Sequence, residues 1–375
     1  MAGSARMRVA YLCNTFGQPD YDRCLAMADA RLDLLTIDWA RRDSEYRWEV
    51  TEKHWSKHLT LPISGGLVPS SAALWTLLKS LVQFRPEVII VYGYHNPAFF
   101  ICAVLFSLFG VSLLTMNDSR FSDYSRTVPI DLLKAMLLIP YRGCLAASRA
   151  AADYARFLGL QMVEIYHCAV DVERITSRSR APYERTAFQD RAFLVVSRFV
   201  DKKNLFRLLD AYAGYVAQAT APRGLKLIGY GPLEADIKSK VEASPTLKEH
   251  VEIVGYVGVS RVPEYLGAAL CLILPSLSDQ FGIVVTEALA SAVPVIVSSN
   301  CGAADLVEPW RNGYIVDPEQ VGALTHAMTE IDDSETAWNI MSENALASAR
   351  AADVSVFLQG IRALLPETRQ VALSA

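Results

Sequence analysis

The sequence contains no CxxC pair, no HExxH and no cluster among its 6 histidines, so no metal is expected at a working site. Its 7 cysteines are scattered and odd in number, which argues against a disulfide framework and makes a reducing cytoplasm the simplest location. Charge is scarce. Only 20% of residues are charged and the net charge is −4, so the chain is not a general polyanion binder and nucleic acid is not an expected partner. A long polar tract is missing too, and with 52% apolar residues the chain is expected to fold throughout. The opening MAGSARMRVAYLC lacks the apolar length of a secretory leader, so none is expected. A DYD triplet at 20–22 has no further ligands near it in sequence and reads as a solvated loop after the first strand.

One run does challenge the picture of a soluble chain. Residues 98–116, AFFICAVLFSLFGVSLLTM, are uncharged over about the length of a membrane span. The pattern favours a buried helix over 97–108, a break at Gly110 and a strand over 111–115, because Gly110 suits a helix C-terminus and the following MNDSR is polar.

What is present is alternation. Strand-like runs at 8–13, 32–39, 88–93, 111–116, 143–148 and 163–168 are mostly separated by helix-length stretches such as SSAALWTLLKSLVQF at 70–84. A second series begins afresh at 192–197, 225–229, 251–256, 270–275, 294–299 and 313–317. Continuous apolar strands between helices predict parallel sheets covered on both faces. At 375 residues the chain suits two such domains. The polar stretch 171–190 predicts a boundary, giving an N-terminal Rossmann-like domain over 1–170, a C-terminal one over 171–350, and a helix within 351–375 packing back toward the first. Doubly wound sheets bind ligands beyond the carboxyl ends of their strands, so the site is expected in a cleft that the two domains face.

Three segments of the second half carry chemistry. SRFVDKKN at 197–204 puts Arg198 and Lys203 five residues apart after a strand, where they can converge on a phosphate or remain ordinary charges of an exposed turn. IGYGPL at 228–233 places Gly229 and Gly231 where a backbone could approach a ligand closely, or simply turn tightly. DQFGIVVTEALASAVPV, from 279, predicts a helix starting near Gly282, whose first N–H groups can hold an anion. Glu287, a turn and a half into that helix, can accept both hydroxyls of a ribose, and Asp279 before it can accept those of a sugar. Acids on both sides of an anion site fit a sugar nucleotide. The alternative is a helix-terminal charge and a paired structural acid.

These segments, in this order, resemble the retaining glycosyltransferases of family 4, which have the GT-B fold of two tandem Rossmann-like domains. The resemblance covers about residues 190–320, including VEIVGYV at 251–257 and NGYIVDP at 312–318, and only thinly covers the first 170. It implies that Arg198 and Lys203 hold the diphosphate, Glu287 the ribose and Asp279 the donor sugar. The backbone at Phe281, Gly282, Ile283 and Val284 would hold sugar hydroxyls and the distal phosphate. Gly229, Gly231 and Tyr256 would lie toward the nucleotide. A nucleoside-diphosphate sugar is then a co-substrate, with no separate cofactor. The implied acceptor is a glycan or a lipid-linked sugar of cell-surface polysaccharide or glycolipid synthesis.

Several positions depart from the family pattern. The first acid is Asp279 where Glu is usual, and Gln280 and Ala292 stand where glycines are usual. The glycine-rich loop after the first strand is reduced to Gly17. Asn117 replaces a histidine, and His95, after the preceding strand, is a second candidate at the reacting centre. These departures keep two other readings open: an epimerase or phosphorylase on the same fold, and a nucleotide-sugar binding protein with impaired turnover. The apolar segment 128–145, with Lys134 and Arg142 near its ends, reads as a core helix, with peripheral contact to a membrane as the alternative.

Overall fold

The computed structural model describes residues 6–40, 55, 57–61, 70–123 and 126–370. The chain divides into two compact units, Met1–Val170 with Val354–Ala375, and Asp171–Asp353.

The first unit is built on strands β1 (Arg8–Thr15), β2 (Asp33–Ala40), β3 (Lys57–Thr60), β4 (Val88–Tyr92), β5 (Ser112–Asn117), β6 (Gly143–Ala146) and β7 (Met162–Ile165). They form one sheet in the order β3-β2-β1-β4-β5-β6-β7, and every pairing is parallel. Val9 to Cys13 and Val88 to Val91 are buried on both faces, as expected of central strands covered by helices. The covering helices are α1 (Gln18–Asp29), α2 (Ser71–Phe84), α3 (Pro97–Ser107), α4 (Val128–Leu138) and α5 (Arg149–Phe157). Ser70 and Ser148 cap α2 and α5 by accepting from Ala73 N and Ala151 N, each at 3.2 Å. The 98–116 run divides into α3, a turn at Gly110 with φ +72°, and β5. Among the described residues no helix is long and apolar enough to cross a membrane.

Two readings of the sequence are corrected here. The DYD triplet is not a solvated loop: Asp20 and Asp22 are buried in α1. Asp20 accepts from Tyr11 Oη at 2.5 Å and Gly17 N at 3.0 Å and pairs with Arg23, so its charge is met by buried partners that sequence spacing does not display. Helix α4 is not a core helix. Only Leu138 of it is buried, while Val128 (73% exposed), Leu132 (61%) and Met136 (61%) lie at the surface. The stretch 171–190, read as a boundary, begins with α6 (Val172–Arg185), capped by Asp171 accepting from Arg174 N at 2.9 Å and opening the second unit.

The second unit continues with β8 (Ala192–Val196), α7 (Leu205–Val216), β9 (Leu225–Ile228), α8 (Glu234–Ala243), α9 (Pro245–His250), β10 (Val251–Gly255), α10 (Val262–Gly267) and β11 (Ala269–Leu274). It ends with α11 (Ile283–Ala290), β12 (Val295–Ser298), β13 (Gly313–Val316), α12 (Val321–Asp332) and α13 (Glu335–Ala349). Its parallel sheet runs β10-β9-β8-β11-β12-β13, so the direction of winding reverses between β8 and β11. The two last helices, α14 (Val354–Leu364) and α15 (Glu367–Gln370), return to the first unit. There Gly360 lets α14 lie against β6, since a Cβ would come 2.7 Å from Leu145 Cδ2, and Arg142 Nε donates to Leu364 O at 2.9 Å. All 7 cysteines are buried.

Candidate functional site

The reversal point of a doubly wound sheet leaves an opening at the strands' carboxyl ends, because the loops after its two central strands turn to opposite faces. In the second unit those strands are β8 and β11; Arg198 and Lys203 lie after the first, and Asp279 and the start of α11 after the second.

Arg198 lies two residues beyond the end of β8, and Lys203 closes the short 3-10 turn Asp201–Lys203. Asn204 then takes a left-handed backbone (φ +59°), which a β-branched residue would adopt only with strain. Its amide donates to Pro275 O at 3.1 Å and Pro318 O at 2.8 Å, tying this turn to the ends of β11 and β13. Leu277 N donates to Lys202 O at 2.8 Å, adding a second tie. Lys203, only 9% exposed, forms an ion pair with Asp279. The loop is thereby fixed before any ligand arrives.

Asp279 is held in a short parallel bridge with Cys301: its N–H donates to Asn300 O and its carbonyl accepts from Gly302 N, both at 3.2 Å. Gly282, at φ +90°, is the N-cap of α11. A Cβ there would press within 2.7 Å of Leu274 Cδ2 and 2.8 Å of Cys301 Sγ, so glycine is required by both backbone and space. Phe281 is buried, Ile283 and Val284 form the first turn, and Glu287 lies half-buried one turn further. The first N–H groups of an eight-residue helix thus open between Asp279 and Glu287.

Gly229 and Gly231 follow β9 and lie flat against the β8 loop: Phe199 N donates to Tyr230 O at 2.8 Å and Leu233 N to Phe199 O at 3.1 Å. After β10, Tyr256 is 42% exposed and meets Tyr230 edge-on, with ring centroids 5.4 Å apart. Arg198, Lys203, Gly229, Gly231, Tyr256, Asp279 and Glu287 therefore all belong to the carboxyl edge of one sheet. Tyr230 and Asn204 were not singled out from sequence. The first stands between two glycines that read only as a turn, and the second acts through contacts made far along the chain.

Asn117 and His95 belong to the first unit. Asn117 ends β5 and its side chain is engaged locally: the amide donates to Ser119 O (3.2 Å) and Ala151 O (3.4 Å), while its oxygen accepts from Ser119 N (3.3 Å). It closes a turn, as Asn commonly does. His95 is exposed in the turn after β4. Beside Asn117, Asp118 accepts from Tyr92 Oη at 3.2 Å. Burial raises the Asp118 carboxyl above the ordinary aspartate range against the opposing pull of the Tyr92 hydroxyl, with Asp123 adding a smaller upward push.

The native state therefore holds the Asp118 proton to higher pH than the unfolded chain does. The associated stability is full below the ordinary aspartate value and is lost as pH rises through the raised one. Asp118→Asn is expected to melt above wild type at neutral pH, with the difference vanishing below about pH 4. Thermal midpoints across this range test it, and equal midpoints at neutral pH would rule it out. Among the described residues, no three of His, Cys, Asp and Glu stand together as metal ligands.

Residues 184–347 match the family described as glycosyl transferases group 1. The chain is 28% identical over 177 residues to a putative colanic acid biosynthesis glycosyltransferase of Salmonella typhimurium, covering 45% of this chain and 42% of that one. It is 26% identical over 153 residues to an Escherichia coli UDP-Gal:alpha-D-GlcNAc-diphosphoundecaprenol alpha-1,3-galactosyltransferase, covering 40% and 39%. The chain thus matches less than half the length of these relatives. The Anabaena protein HepE, solved in complex with UDP, superposes with a TM-score of 0.71 over 95% of this chain and 98% of its own, at 17% identity. That likeness extends to both units and shows the GT-B fold. The match to the glycosyl transferases group 1 family thus falls within the second unit.

Proposed function

We propose that this chain is a retaining glycosyltransferase that moves a sugar from a nucleoside-diphosphate sugar to a glycan or lipid-linked acceptor in cell-surface polysaccharide or glycolipid synthesis. One observation carries the reading: Lys203 pairs with Asp279 just before the N-terminus of α11, on the loops after the two strands where the winding of the second sheet reverses. Arg198 and Lys203 grip the diphosphate, Arg as a bidentate fork and Lys as a point charge. Glu287 accepts the ribose hydroxyls and Asp279 those of the donor sugar. The backbone N–H groups from Phe281 to Val284 hold sugar hydroxyls and the distal phosphate. Gly229, Gly231 and the Tyr230–Tyr256 pair border the nucleotide.

The departing nucleoside diphosphate gathers negative charge as the sugar becomes oxocarbenium-like, and fixed donors aimed at that charge lower the barrier without reorganising. The two side-chain cations and the helix terminus supply this charge, so a metal-independent reaction is the simplest account. The names of the relatives, which include colanic acid synthesis and a diphosphoundecaprenol-linked acceptor, support the acceptor class. A binding protein with impaired turnover is the second reading, favoured by the engagement of the Asn117 amide in its own turn.

Isothermal titration of the chain with UDP, GDP, ADP and dTDP, without added metal, tests the donor class. One nucleoside diphosphate is expected to saturate the site. Arg198→Ala and Glu287→Ala are each expected to weaken it about 10- to 100-fold, the loss of one charge-assisted contact. Absence of binding by all four would end the transferase reading, whereas saturable binding of a sugar nucleotide without turnover would leave the second one.

A further inference from the structure

Helix α4 and the outer side of α3 carry an apolar surface that the fold leaves uncovered. Along α4, Val128, Ile130, Leu132, Leu133 and Met136 are all at least half exposed, and Ile139 just beyond it is 77% exposed. Leu108 and Phe109, at the end of α3, are 77% and 82% exposed. Helix α3 joins β4 to β5 and α4 joins β5 to β6; since both are crossovers between neighbouring parallel strands and crossovers share one hand, the two helices lie on the same sheet face. No Asp, Glu, Lys or Arg occurs between residues 88 and 117. An uncovered surface of this kind marks an interaction site.

A cavity of about 470 Å³ opens at the head of α4. Its wall includes Arg120, Arg126 and Lys134, with Asp131. Arg120 pairs with Asp123 at 2.8 Å and Arg126 with Asp131 at 2.6 Å, and Lys134 donates to Tyr154 Oη at 2.9 Å. Three cations against two carboxylates leave one net positive charge. The Arg126 guanidinium is further fixed among rings, 4.7 Å from the centroids of Phe121 and Tyr154 and 5.0 Å from that of Phe157. Ile130 lines the cavity and also belongs to the exposed row, so the cationic pocket opens onto the apolar surface.

We infer that this face of the first unit docks on a bilayer containing anionic phospholipid, with the α3–α4 surface in the acyl region and a lipid phosphate in the Arg126–Lys134 cavity. Cationic groups at the edge of an apolar helix face suit the phosphate layer above the hydrocarbon. At 11 residues α4 is about 16 Å long, enough to lie in the interface and too short to cross a core of about 30 Å. A second copy is a poorer occupant, because a two-fold contact through this face would bring the same positive rim against itself. The inference rests on this surface and cavity and not on the sugar-transfer reading, so the two can fail separately.

Flotation with vesicles tests it, using phosphatidylcholine alone and phosphatidylcholine mixed with phosphatidylglycerol. The chain is expected to bind the mixed vesicles about tenfold more tightly. Leu132→Asp with Met136→Asp, both at exposed positions, is expected to abolish flotation while leaving the thermal midpoint and nucleoside diphosphate binding at wild-type values. Arg126→Ala and Lys134→Gln are each expected to erase most of the preference for anionic vesicles. Equal binding to both vesicle types, or none, would overturn the inference. So would a solution dimer that the two Asp substitutions dissociate, since the face would then be an interface between copies.

Discussion

Gly229→Ala is expected to destabilise the second unit by about 4 kcal/mol or more, enough to remove most of the stability of an ordinary domain. A Cβ at this position would sit 1.8 Å from Ser197 O and 2.9 Å from Phe199 Cε1. Neither neighbour can retreat cheaply. Ser197 N donates to Ile228 O at 3.0 Å, Phe199 N to Tyr230 O at 2.8 Å, and Gly229 N to Gly255 O at 2.9 Å, so moving either loop breaks sheet hydrogen bonds on β8, β9 or β10. The same contact presents Arg198, which stands between the two crowded residues, to the site. Gly231→Ala should behave alike, its Cβ falling 2.4 Å from Phe199 O. Gly322→Ala is the control: nothing lies within 4 Å of its Cβ, and near the start of α12 the change should be neutral or stabilise by up to about 1 kcal/mol. Urea denaturation of the three variants decides the matter. A Gly229→Ala protein within 1 kcal/mol of wild type would mean that the close approach of the two loops is not a constraint.

How far such features could be read in advance depends on the range of the interaction that creates them. The central strands were legible because each is a short apolar run largely buried on both faces, and β1, β4, β8 and β11 lie where their runs predict. Strand β3, KHLT, escaped notice because an edge strand of four residues, two of them polar and one charged, has no apolar run to detect. Helix α6 was not foreseen within the boundary stretch 171–190 because it buries only Ile175 and Ser179, and a helix so thinly seated shows little periodicity. Helix α4 was placed in the core because apolar composition was taken to mean burial; sequence cannot show that a helix points its apolar side outward, and that reversal is what the lipid-facing inference rests on. In the second unit the motifs were legible at their strand ends and the start of α11 was placed correctly. The contact between Lys203 and Asp279, 76 residues apart, was not, because neither segment contains information about the other.

That contact gives the second large effect. Lys203→Ala is expected to destabilise the second unit by about 3 kcal/mol, since it leaves Asp279 with little water and without its ion-pair partner. Asp279→Asn keeps the shape and hydrogen-bonding oxygen of the side chain and should cost less, and in the double variant the two costs should fall well short of their sum. Nucleotide binding should separate the pair differently. Under the proposed roles, the diphosphate and Asp279 compete for the Lys203 ammonium, so ligand binding transfers the cation from one anion to the other and leaves the carboxylate for sugar hydroxyls. Lys203→Ala is then expected to weaken the free nucleoside diphosphate about 10- to 100-fold. Asp279→Asn, by removing the competing charge, should leave that affinity equal or tighter while turnover with the sugar nucleotide falls. Titration and single-turnover kinetics on the same two variants read both quantities. If Asp279→Asn weakens the nucleoside diphosphate as much as Lys203→Ala does, the pair works as one structural clamp on the loop after β8, and the donor sugar must be held by other groups.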